Sequence, residues 1–577
     1  MLQFNDYIAD WPDVPYPNFA AWLTGLESQF GDKNAILYRS GGQSDFTIWS
    51  FKKFASECRR MARGLLAAGL KKGDRVALWA DNRPEWMAVW MGAAIAGLVI
   101  VPIDYLASED ECINILKMIK AKAFFFAVRK QEFTNSLPSR GVIVNIQVCL
   151  GKDGNGSYSS FGIWADLQAL PKVEDIAEAD PVSIVFTSGT TGFAKGVTLS
   201  HRGIILNSNA AIRSLRAYPS DVFINVLPLH HTYPTTCSFI SPLMAGASVI
   251  IVEKLVGKVV VDDIRDGGGT FLIAVPLLYD KVMAAIEKGY NKLPGILRLP
   301  LNLLRCLSLA LANTGNYRFG QCLFRFIRKK AGLGSIRIMV AGGGPLNIRT
   351  ANFFDSLGFN IVHGYGMSEN SPLISVNTPW HKRNKSVGLP VKYTDVKIID
   401  ANEEGIGEIA VKSPSIMLGY YENPEATAEM FTEDSYLKTG DLGYIDSNGF
   451  IYINGRKKNL IVSSGGKNIY PEEIEAHFEG SQVVSEILIV GRKEREFGGE
   501  QIFAVVFPNL EALAVLYPNQ DLTDEFLREK IKATIEDVNR TLVGYKKIVD
   551  FTIRREPFEK NAQQKIRRFL YKIYENP

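Results

Sequence analysis

This chain has only a small excess of positive over negative charge, and it has few cysteines. Its 577 residues carry 65 Lys and Arg against 61 Asp and Glu, a formal net charge of +4. That near balance gives no support for binding to nucleic acid. The six cysteines form no CxxC pair, so neither a zinc site nor a disulfide framework is predicted. A reducing compartment, the cytoplasm, is therefore the expected location.

A signal peptide and a membrane-spanning helix are also not predicted. The N-terminal MLQFNDYIAD carries acidic residues where a signal peptide has a positive region and an apolar core. Two stretches lack charge, residues 86–103 and 222–252. Gly97 divides the first into a helix-like half and a β-branched half, and prolines interrupt the second. Both are therefore predicted to be buried helices and strands rather than spans of a bilayer.

The strongest functional signal is a loop of hydroxyls and glycines, TSGTTGFAKG, at residues 187–196. It directly follows an apolar run at 182–186 that predicts a buried strand, which is unusual for a flexible linker. A P-loop of the GxxxxGK[ST] type is excluded because Gly196 follows Lys195. Backbone N–H groups in a glycine-rich turn can point at phosphate oxygens, while hydroxyls and a lysine add donors and charge. The predicted phosphate-binding residues are Thr187, Ser188, Gly189, Thr190, Thr191, Gly192 and Lys195.

Alternation of apolar and helical patterns predicts an α/β protein with a largely parallel sheet, and the chain is long enough for more than one domain. One apolar run ends in His230 and His231, and another ends in the glycines 342–344. Glycines at the end of a strand let a flat ligand approach the backbone. The adjacent histidines would need further partners to converge on a metal ion, so a place beside a substrate entrance is the preferred interpretation.

Two further pairs of residues follow predicted strands or turns. Tyr365 can cover a purine ring, and Glu369 can reach a magnesium ion that bridges phosphates. Taken singly, they would be interpreted as a core tyrosine and a helix cap. Asp441, in a predicted TGD turn, can accept both hydroxyls of a ribose. Arg456, about one hairpin later, can donate to the same sugar or to phosphate.

Taken together, these motifs resemble those of the adenylate-forming superfamily of acyl-CoA synthetases, adenylation domains and luciferases. The match rests on the order and spacing of TSGTTGFAKG, LPLHH, GGGP, GYGMSE, KTGD and GRKKN, and runs from about Asp32 to Phe569. The residues within these motifs look most like those of bacterial long-chain fatty acid CoA ligases. The resemblance implies a large N-terminal domain of layered α/β sheets, residues 1–454, and a small mobile α+β domain, residues 455–577, with a hinge near Lys458.

The resemblance also implies ATP, Mg²⁺ and CoA as cofactor and co-substrates, a fatty acid as substrate, and a role for each motif. The phosphate loop with Lys195 would hold the β- and γ-phosphates, and Glu369 with Thr190 would hold Mg²⁺. Lys565 would enter the site during adenylation. The residues implied for adenine and the rest of the nucleotide are Gly343, Gly344, Tyr365, Gly366 and Ser368; for ribose, Asp441 and Arg456; for the approach of pantetheine, Gly465 and Gly466; and for the acyl substrate, His230, His231 and Gly364.

Several positions depart from the family pattern. Gln564 stands where a glycine usually precedes the C-terminal lysine, and it could stiffen the approach of Lys565. The other departures are Ala194 for proline, Ser368 for threonine, Asn459 for aspartate and Val462 where some relatives have a second lysine.

The segment 291–332 bears on which acid is activated, because it is leucine-rich and has no Asp or Glu. Arg298 and Arg305 are seven residues apart, as are Arg318 and Arg325, so each pair is predicted to share a helix face. A basic, amphipathic helix pair could rest on an anionic membrane, where a long acyl chain would be found. Packing on the N-terminal domain with solvated arginines is the alternative.

The predicted reaction is activation of a long-chain fatty acid to acyl-AMP, followed by transfer to CoA. Alternatives within the superfamily are an acyl-AMP or acyl-carrier-protein ligase and a ligase for a different carboxylic acid. A nucleotide-binding regulatory or scaffold protein without catalysis is the rival from another class. The retained residues Lys195, Glu369, Asp441 and Lys565 argue against it.

Overall fold

The computed structural model describes residues 16–39, 43–150, 176–187, 195–463, 467–493, 500–560 and 566–574. Its contacts divide the chain into two compact α/β units. The first comprises Met1–Val396, Val411–Leu437 and Asn448–Phe450, and the second comprises Lys397–Ala410, Lys438–Ser447 and Ile451–Pro577. The domain boundary at residue 455 and the hinge near Lys458 stay predictions.

A seven-stranded sheet in the first unit carries the predicted phosphate loop. Its strand order is Gly419–Tyr420, Lys195–Ser200, Pro181–Thr187, Val99–Pro102, Arg75–Trp79, Ala123–Ala127 and Ile146–Leu150. The last five strands are parallel, as the sequence predicts, and the first two are antiparallel to their neighbours. The strand Lys195–Ser200 was not predicted.

The second sheet of this unit has nine strands and carries the predicted adenine residues. Its order is Leu389–Pro390, Leu373–Val376, Ile361–Gly366, Ile338–Ala341, Phe271–Ala274, Val222–Asn225, Ser248–Ile251, Asn34–Tyr38 and Thr47–Ser50. The six central strands are parallel and the outer ones antiparallel. The strand Asn34–Tyr38 joins this sheet, whereas Arg75–Trp79 and Val99–Pro102 belong to the other, so the predicted largely parallel sheet is divided into two.

The apolar core lies on both faces of the seven-stranded sheet. In the strand Arg75–Trp79, Val76 and Leu78 belong to one buried cluster, whereas Ala77 and Trp79 belong to another. Successive side chains of a strand point to opposite faces, so a continuous apolar run is what a doubly covered strand requires. The helix Pro84–Ile95 has a buried residue at nearly every position, which explains the uncharged stretch at 86–103.

Helices pack with these sheets. The segment 291–332 differs from the predicted pair of helices, because it forms three helices: Arg318 and Arg325 each begin a separate short helix instead of sharing one face. The helices of the first unit are Phe19–Phe30, Phe51–Ala67, Pro84–Ile95, Glu109–Met118, Gln131–Ser136, His201–Leu215, Thr232–Pro234, Ser241–Met244, Gly257–Gly267, Pro276–Asn291, Gly295–Ala312, Arg318–Leu323, Arg325–Lys330, Ile348–Ser356 and Pro424–Ala428.

In the described part of the chain, one helix is long and apolar enough to cross a membrane by length and composition alone. It is Gly295–Ala312, with a mean hydropathy of 1.4 and 11% of its residues buried. The two stretches considered from the sequence, 86–103 and 222–252, form the predicted combination of helices and strands instead.

The described residues of the second unit form short sheets and three α-helices. Strands Asp395–Ile399, Gly407–Lys412, Leu437–Ile445 and Ile451–Arg456 form one sheet in that order. A second sheet has the order Val484–Lys493, Glu500–Pro508 and Asp550–Ile553, and Ile461–Val462 pairs with Asn468–Ile469. The helices are Pro471–Glu475, Leu510–Leu516 and Asp524–Thr541.

Candidate functional site

The predicted phosphate loop connects two paired strands of the seven-stranded sheet. Thr187 ends one strand and lies opposite Lys195, which begins the next. Gly196 is required here, because a Cβ at this position would lie 2.9 Å from Cγ2 of Ile184. The two strands therefore form a hairpin, called the phosphate hairpin below, and Lys195 begins its second strand. The loop residues Ser188, Gly189, Thr190, Thr191 and Gly192 lie outside the described residues.

Lys195 and Glu369 meet at one side chain that the sequence analysis did not single out, Tyr420. The Lys195 Nζ lies 4.8 Å from the centre of the Tyr420 ring. The Tyr420 hydroxyl donates a hydrogen bond to Glu369 Oε1 at 2.8 Å. Burial and the Glu369 carboxylate raise the pKa of Tyr420, so the phenol keeps its proton and remains a donor. A cation and a carboxylate are thus held on the same phenol, at the base of the phosphate hairpin.

Local pairing explains why Tyr420 lies there. The short strand Gly419–Tyr420 pairs antiparallel with Lys195–Ser200, with Tyr420 opposite Val197. The Tyr421 N–H donates to the Gly196 carbonyl at 2.7 Å and extends that pairing. Glu369 lies in the 3₁₀ turn Ser368–Asn370, and its carbonyl accepts from the Met417 N–H at 2.7 Å. The strand register therefore fixes the tyrosine, and a second backbone contact fixes the glutamate.

The two glycine motifs lie at the ends of neighbouring parallel strands. Ile338–Ala341 runs beside Ile361–Gly366, with Ala341 opposite His363. Gly343 and Gly344 follow the first strand, and burial lowers the pKa of His363, on the second, to about 4. The neutral His363 ring lies with Nε2 2.9 Å from the Gly344 carbonyl, to which it can donate. This contact joins the two motifs, and His363 was not predicted as a site residue.

The positions of the other residues in GYGMSE differ in part from the prediction. Gly364, Tyr365 and Gly366 belong to the strand Ile361–Gly366 rather than following it. Tyr365 is buried and lies opposite Ser375 of the adjacent strand. Ser368 begins the 3₁₀ turn that carries Glu369. The carboxylate of Glu369 accepts from Tyr420 instead of capping a helix.

His230 and His231 lie beside Asp104, a partner that the sequence analysis did not identify. Their strand ends at Asn225 and not at the histidines, which lie just before a short helix at Thr232–Pro234. The two Nε2 atoms are 3.1 Å apart, and Asp104 Oδ1 lies 3.4 Å from Nε2 of His230. One ligand atom from each of the three residues lies within 4.8 Å of the others. Two imidazoles and a carboxylate can share protons or hold a transition-metal ion.

The Asp104 carboxyl of this trio is held in its ionised form. Burial opposes ionisation of Asp104, but the hydrogen bond from His230 outweighs it and lowers the pKa of Asp104 to about 2. Burial and the neighbouring His230 lower the pKa of His231 well below its usual range. The trio therefore presents a carboxylate and a neutral His231 at pH 7.

In the second unit, Asp441 and Arg456 are cross-strand partners. Asp441 lies within the strand Leu437–Ile445, opposite Arg456 of Ile451–Arg456, so the predicted turn at Asp441 is wrong. Arg456 Nε is 2.7 Å from Asp441 Oδ1, and the Asp441 N–H donates to Thr439 Oγ1 at 3.1 Å. The carboxylate is nearly buried, whereas the guanidinium is 44% exposed. The arginine is thus held by the aspartate and still accessible to a ligand.

The other predicted site residues of this unit lie between paired residues in the chain. Val462 pairs with Asn468, on either side of Gly465 and Gly466. Lys560 forms a bridge with Ile566, and these residues frame the segment containing Lys565. Gly465, Gly466 and Lys565 themselves lie outside the described residues.

Charged contacts tie the described residues on either side of Lys565 to the unit. Lys560 Nζ lies 2.6 Å from Glu486 Oε1, and Arg568 forms an ion pair with Glu475. The Glu559 N–H donates to the Tyr571 hydroxyl at 2.6 Å. Near the predicted hinge, the Asn459 amide donates to Glu472 Oε1 at 2.6 Å, and burial lowers the pKa of Lys458.

Known proteins match nearly the whole chain. Residues 26–421 match the family described as AMP-binding enzyme, and residues 458–576 match the AMP-binding enzyme C-terminal domain. The chain is 28% identical to the long-chain-fatty-acid–CoA ligase FadD15 of Mycobacterium bovis, over 82% of this chain and 80% of that protein. It is 26% identical to the long-chain-fatty-acid–[acyl-carrier-protein] ligase AEE15 of Arabidopsis thaliana, over 87% of this chain and 77% of that protein.

A solved structure supports the fold. The anthranilate CoA ligase AuaEII in complex with anthranoyl-AMP matches with a TM-score of 0.77 at 20% identity, covering 99% of both chains. The predicted α/β class, with a larger N-terminal and a smaller C-terminal part, is thereby confirmed.

Proposed function

Because the chain belongs to the family of AMP-binding enzymes, we propose that it activates a long-chain fatty acid with ATP and transfers the acyl group to CoA. In the first step a carboxylate oxygen of the acid bonds to the α-phosphorus, the bond to the bridging oxygen breaks, and pyrophosphate leaves. In the second step the CoA thiolate bonds to the acyl carbon, and AMP leaves with the anhydride oxygen.

The observation that carries this proposal is the shared contact of Lys195 and Glu369 with Tyr420. Two anions must meet in the first step, so positive charge is required where they meet and where pyrophosphate leaves. Lys195 lies at the base of the predicted phosphate hairpin and supplies one such charge. Tyr420 contacts Lys195 through its ring and holds Glu369 by a hydrogen bond from its hydroxyl.

Glu369 fits the role of a magnesium ligand. Carboxylate oxygens are ligands that Mg²⁺ prefers, and the bond from Tyr420 uses Oε1 and leaves Oε2 for an ion. Glu369 and Thr190 would hold the ion, which supplies positive charge to phosphate oxygens when it is bound.

Lys565 is proposed to supply the cation at the α-phosphate during the first step and to withdraw before the second. The second step needs mainly positioning, because a CoA thiol is a good nucleophile once it is partly ionised. One site must therefore serve two arrangements of the chain, which is the reason for proposing a hinge near Lys458.

The names of relatives support the choice of acid and of acyl acceptor, whereas family membership supports the adenylation step. The name of the FadD15 relative favours a long-chain acid and CoA, and the name of the AEE15 relative favours an acyl-carrier protein as the alternative acceptor. Offering CoA or a carrier protein to the enzyme loaded with acyl-AMP separates the two.

The central experiment is acid-dependent exchange of pyrophosphate into ATP by the purified protein with Mg²⁺. Saturated acids from C8 to C20, with aromatic and amino acids as controls, define the substrate. We expect exchange with the longer fatty acids and formation of AMP once CoA is added. Release of neither AMP nor pyrophosphate with any acid would overturn the proposal.

A further inference from the structure

The helix Gly295–Ala312 presents a stripe of bare apolar side chains. Ile296, Leu299, Leu303 and Leu307 are 84%, 70%, 66% and 50% exposed. Their spacing of three and four residues places them on one side of the helix. These four residues are called the leucine face below. An exposed apolar stripe of this kind usually marks a surface for binding a partner or a membrane.

The opposite side of the same helix is anchored to the protein. Leu301 and Leu304 pack against the core, and Ser308 and Ala312 are buried. Arg305 donates to Ser356 Oγ at 3.2 Å and lies 4.8 Å from the centre of the Phe353 ring. The arginine therefore faces the protein. The outward side of the helix is apolar, whereas the sequence suggested a basic surface.

The segment that contains the leucine face is positively charged. The segment 291–332 contains no Asp or Glu. Phe326 is 74% exposed on the helix Arg325–Lys330. The exposed cations of the segment are Lys292, Arg318, Arg325, Lys329 and Lys330. The segment thus combines exposed apolar side chains with cations and no acidic residue, which matches the boundary of an anionic bilayer, where acyl chains lie beneath phosphate groups.

We propose that the leucine face and these cations bind the surface of an anionic membrane, with the helix lying along the bilayer. The anchoring of Arg305, Leu301 and Leu304 opposes a spanning position, because crossing would strip the helix from the core. Contact between two copies through this face would bring like charges together. The inference rests on the proposed function only for its purpose, which is access to a long-chain acid dissolved in the membrane.

Flotation of the full-length protein with vesicles tests the inference. The vesicles contain phosphatidylcholine alone or with phosphatidylglycerol, at low and high salt. We expect binding that requires the anionic lipid and weakens with salt. Leu299→Gln/Leu303→Gln/Leu307→Gln should reduce the bound fraction at least tenfold, and Arg325→Gln/Lys329→Gln/Lys330→Gln should remove the preference for anionic lipid. Glutamine preserves helix propensity.

A matched control replaces three exposed apolar residues elsewhere, Ile143, Val515 and Val549, with glutamine. This variant should bind vesicles like the parent protein. Equal binding by the leucine variant, or no binding to any vesicle, would overturn the inference, as would a dimer that the leucine variant abolishes without vesicle binding. Pyrophosphate exchange in the absence of vesicles, with a fatty acid that supports exchange by the parent protein, reports the proposed function separately, and the leucine variant should retain it.

Discussion

The Tyr420 hydroxyl donates to Glu369 Oε1 at 2.8 Å, although the two residues are 51 positions apart in the chain. The same phenol ring lies under the Lys195 ammonium. Tyr420 therefore positions both charged groups that the proposed adenylation requires, and it acts through them rather than on the substrate.

Replacing Tyr420 separates its two contacts. Tyr420→Phe keeps the ring beside Lys195 but removes the donor to Glu369, and a hydrogen bond to a charged group contributes about 1.5–3 kcal/mol. We expect acid-dependent pyrophosphate exchange to fall roughly 10- to 100-fold. Tyr420→Leu should lose more, because the contact with Lys195 disappears as well. The neighbouring Tyr421→Phe serves as control, and an unchanged Tyr420→Phe enzyme would refute the positioning role.

The pair formed by Asp441 and Arg456 predicts a defect in nucleotide binding. Asp441→Asn removes the charge that holds Arg456, so the KM for ATP should rise about tenfold. Arg456→Lys should have a similar effect, because an ammonium cannot reproduce the donor geometry of the guanidinium. Initial rates across ATP concentrations measure both. Asp446→Asn on the same hairpin should leave the KM unchanged, and an equal rise there would point to a general loss of structure.

Lys565→Ala should affect the two half-reactions unequally. Loss of a cation that stabilises a transition state typically costs about 10²–10³ in rate, so acyl-AMP formation should fall by that order. Thioester formation from added acyl-AMP and CoA should persist. The exposed Lys547→Ala is the control within the same unit. Parallel loss of both half-reactions would exclude the assigned role.

Two buried histidines predict acid sensitivity of the first unit. Burial lowers the pKa of His201 and of His363 from 6.5 to about 4. The unfolded chain therefore binds protons more tightly, so stability is complete above pH 6.5 and is lost progressively as the pH falls towards 4. Each histidine can account for about 3 kcal/mol over that range. Thermal melting between pH 4 and 8 measures the loss.

His201→Asn should flatten this pH dependence. His201 Nδ1 accepts the Phe19 N–H at 3.3 Å, and an asparagine oxygen can take over that role without titrating. Substitution of the exposed His477 should leave the slope unchanged. A slope that persists in His201→Asn and in the corresponding His363 variant would assign the acid sensitivity to other groups.

Local sequence patterns predicted helices and strands correctly where an apolar run and a residue that ends an element, such as glycine, indicated the same boundary. The run at 86–103 divides at Gly97 into the helix Pro84–Ile95 and the strand Val99–Pro102. The prediction of a turn at Asp441 was wrong. The preceding glycine, Gly440, suggests a turn in the sequence, but it lies with φ +71 inside a strand. The local patterns also missed Lys195–Ser200, a short strand in which glycine and hydroxyl residues interrupt the apolar positions.

The contacts that complete the candidate site were beyond any local pattern. Tyr420 reaches Glu369, and Asp104 reaches His230, only through strand pairing and loop packing across long sequence separations. Motif spacing indicated which residues matter but not which side chains hold them. Likewise, the seven-residue spacing of Arg298 and Arg305 did not reveal that Arg305 faces the protein.

The paired residues on either side of three segments that contain predicted site residues have a consequence for how this enzyme can be altered. Thr187 and Lys195, Val462 and Asn468, and Lys560 and Ile566 each fix the two ends of a loop. Loop tips of equal length could therefore be exchanged as cassettes between relatives, since the anchor points would stay in place. Preference for nucleotide or acceptor could then be retuned without rebuilding the sheets beneath.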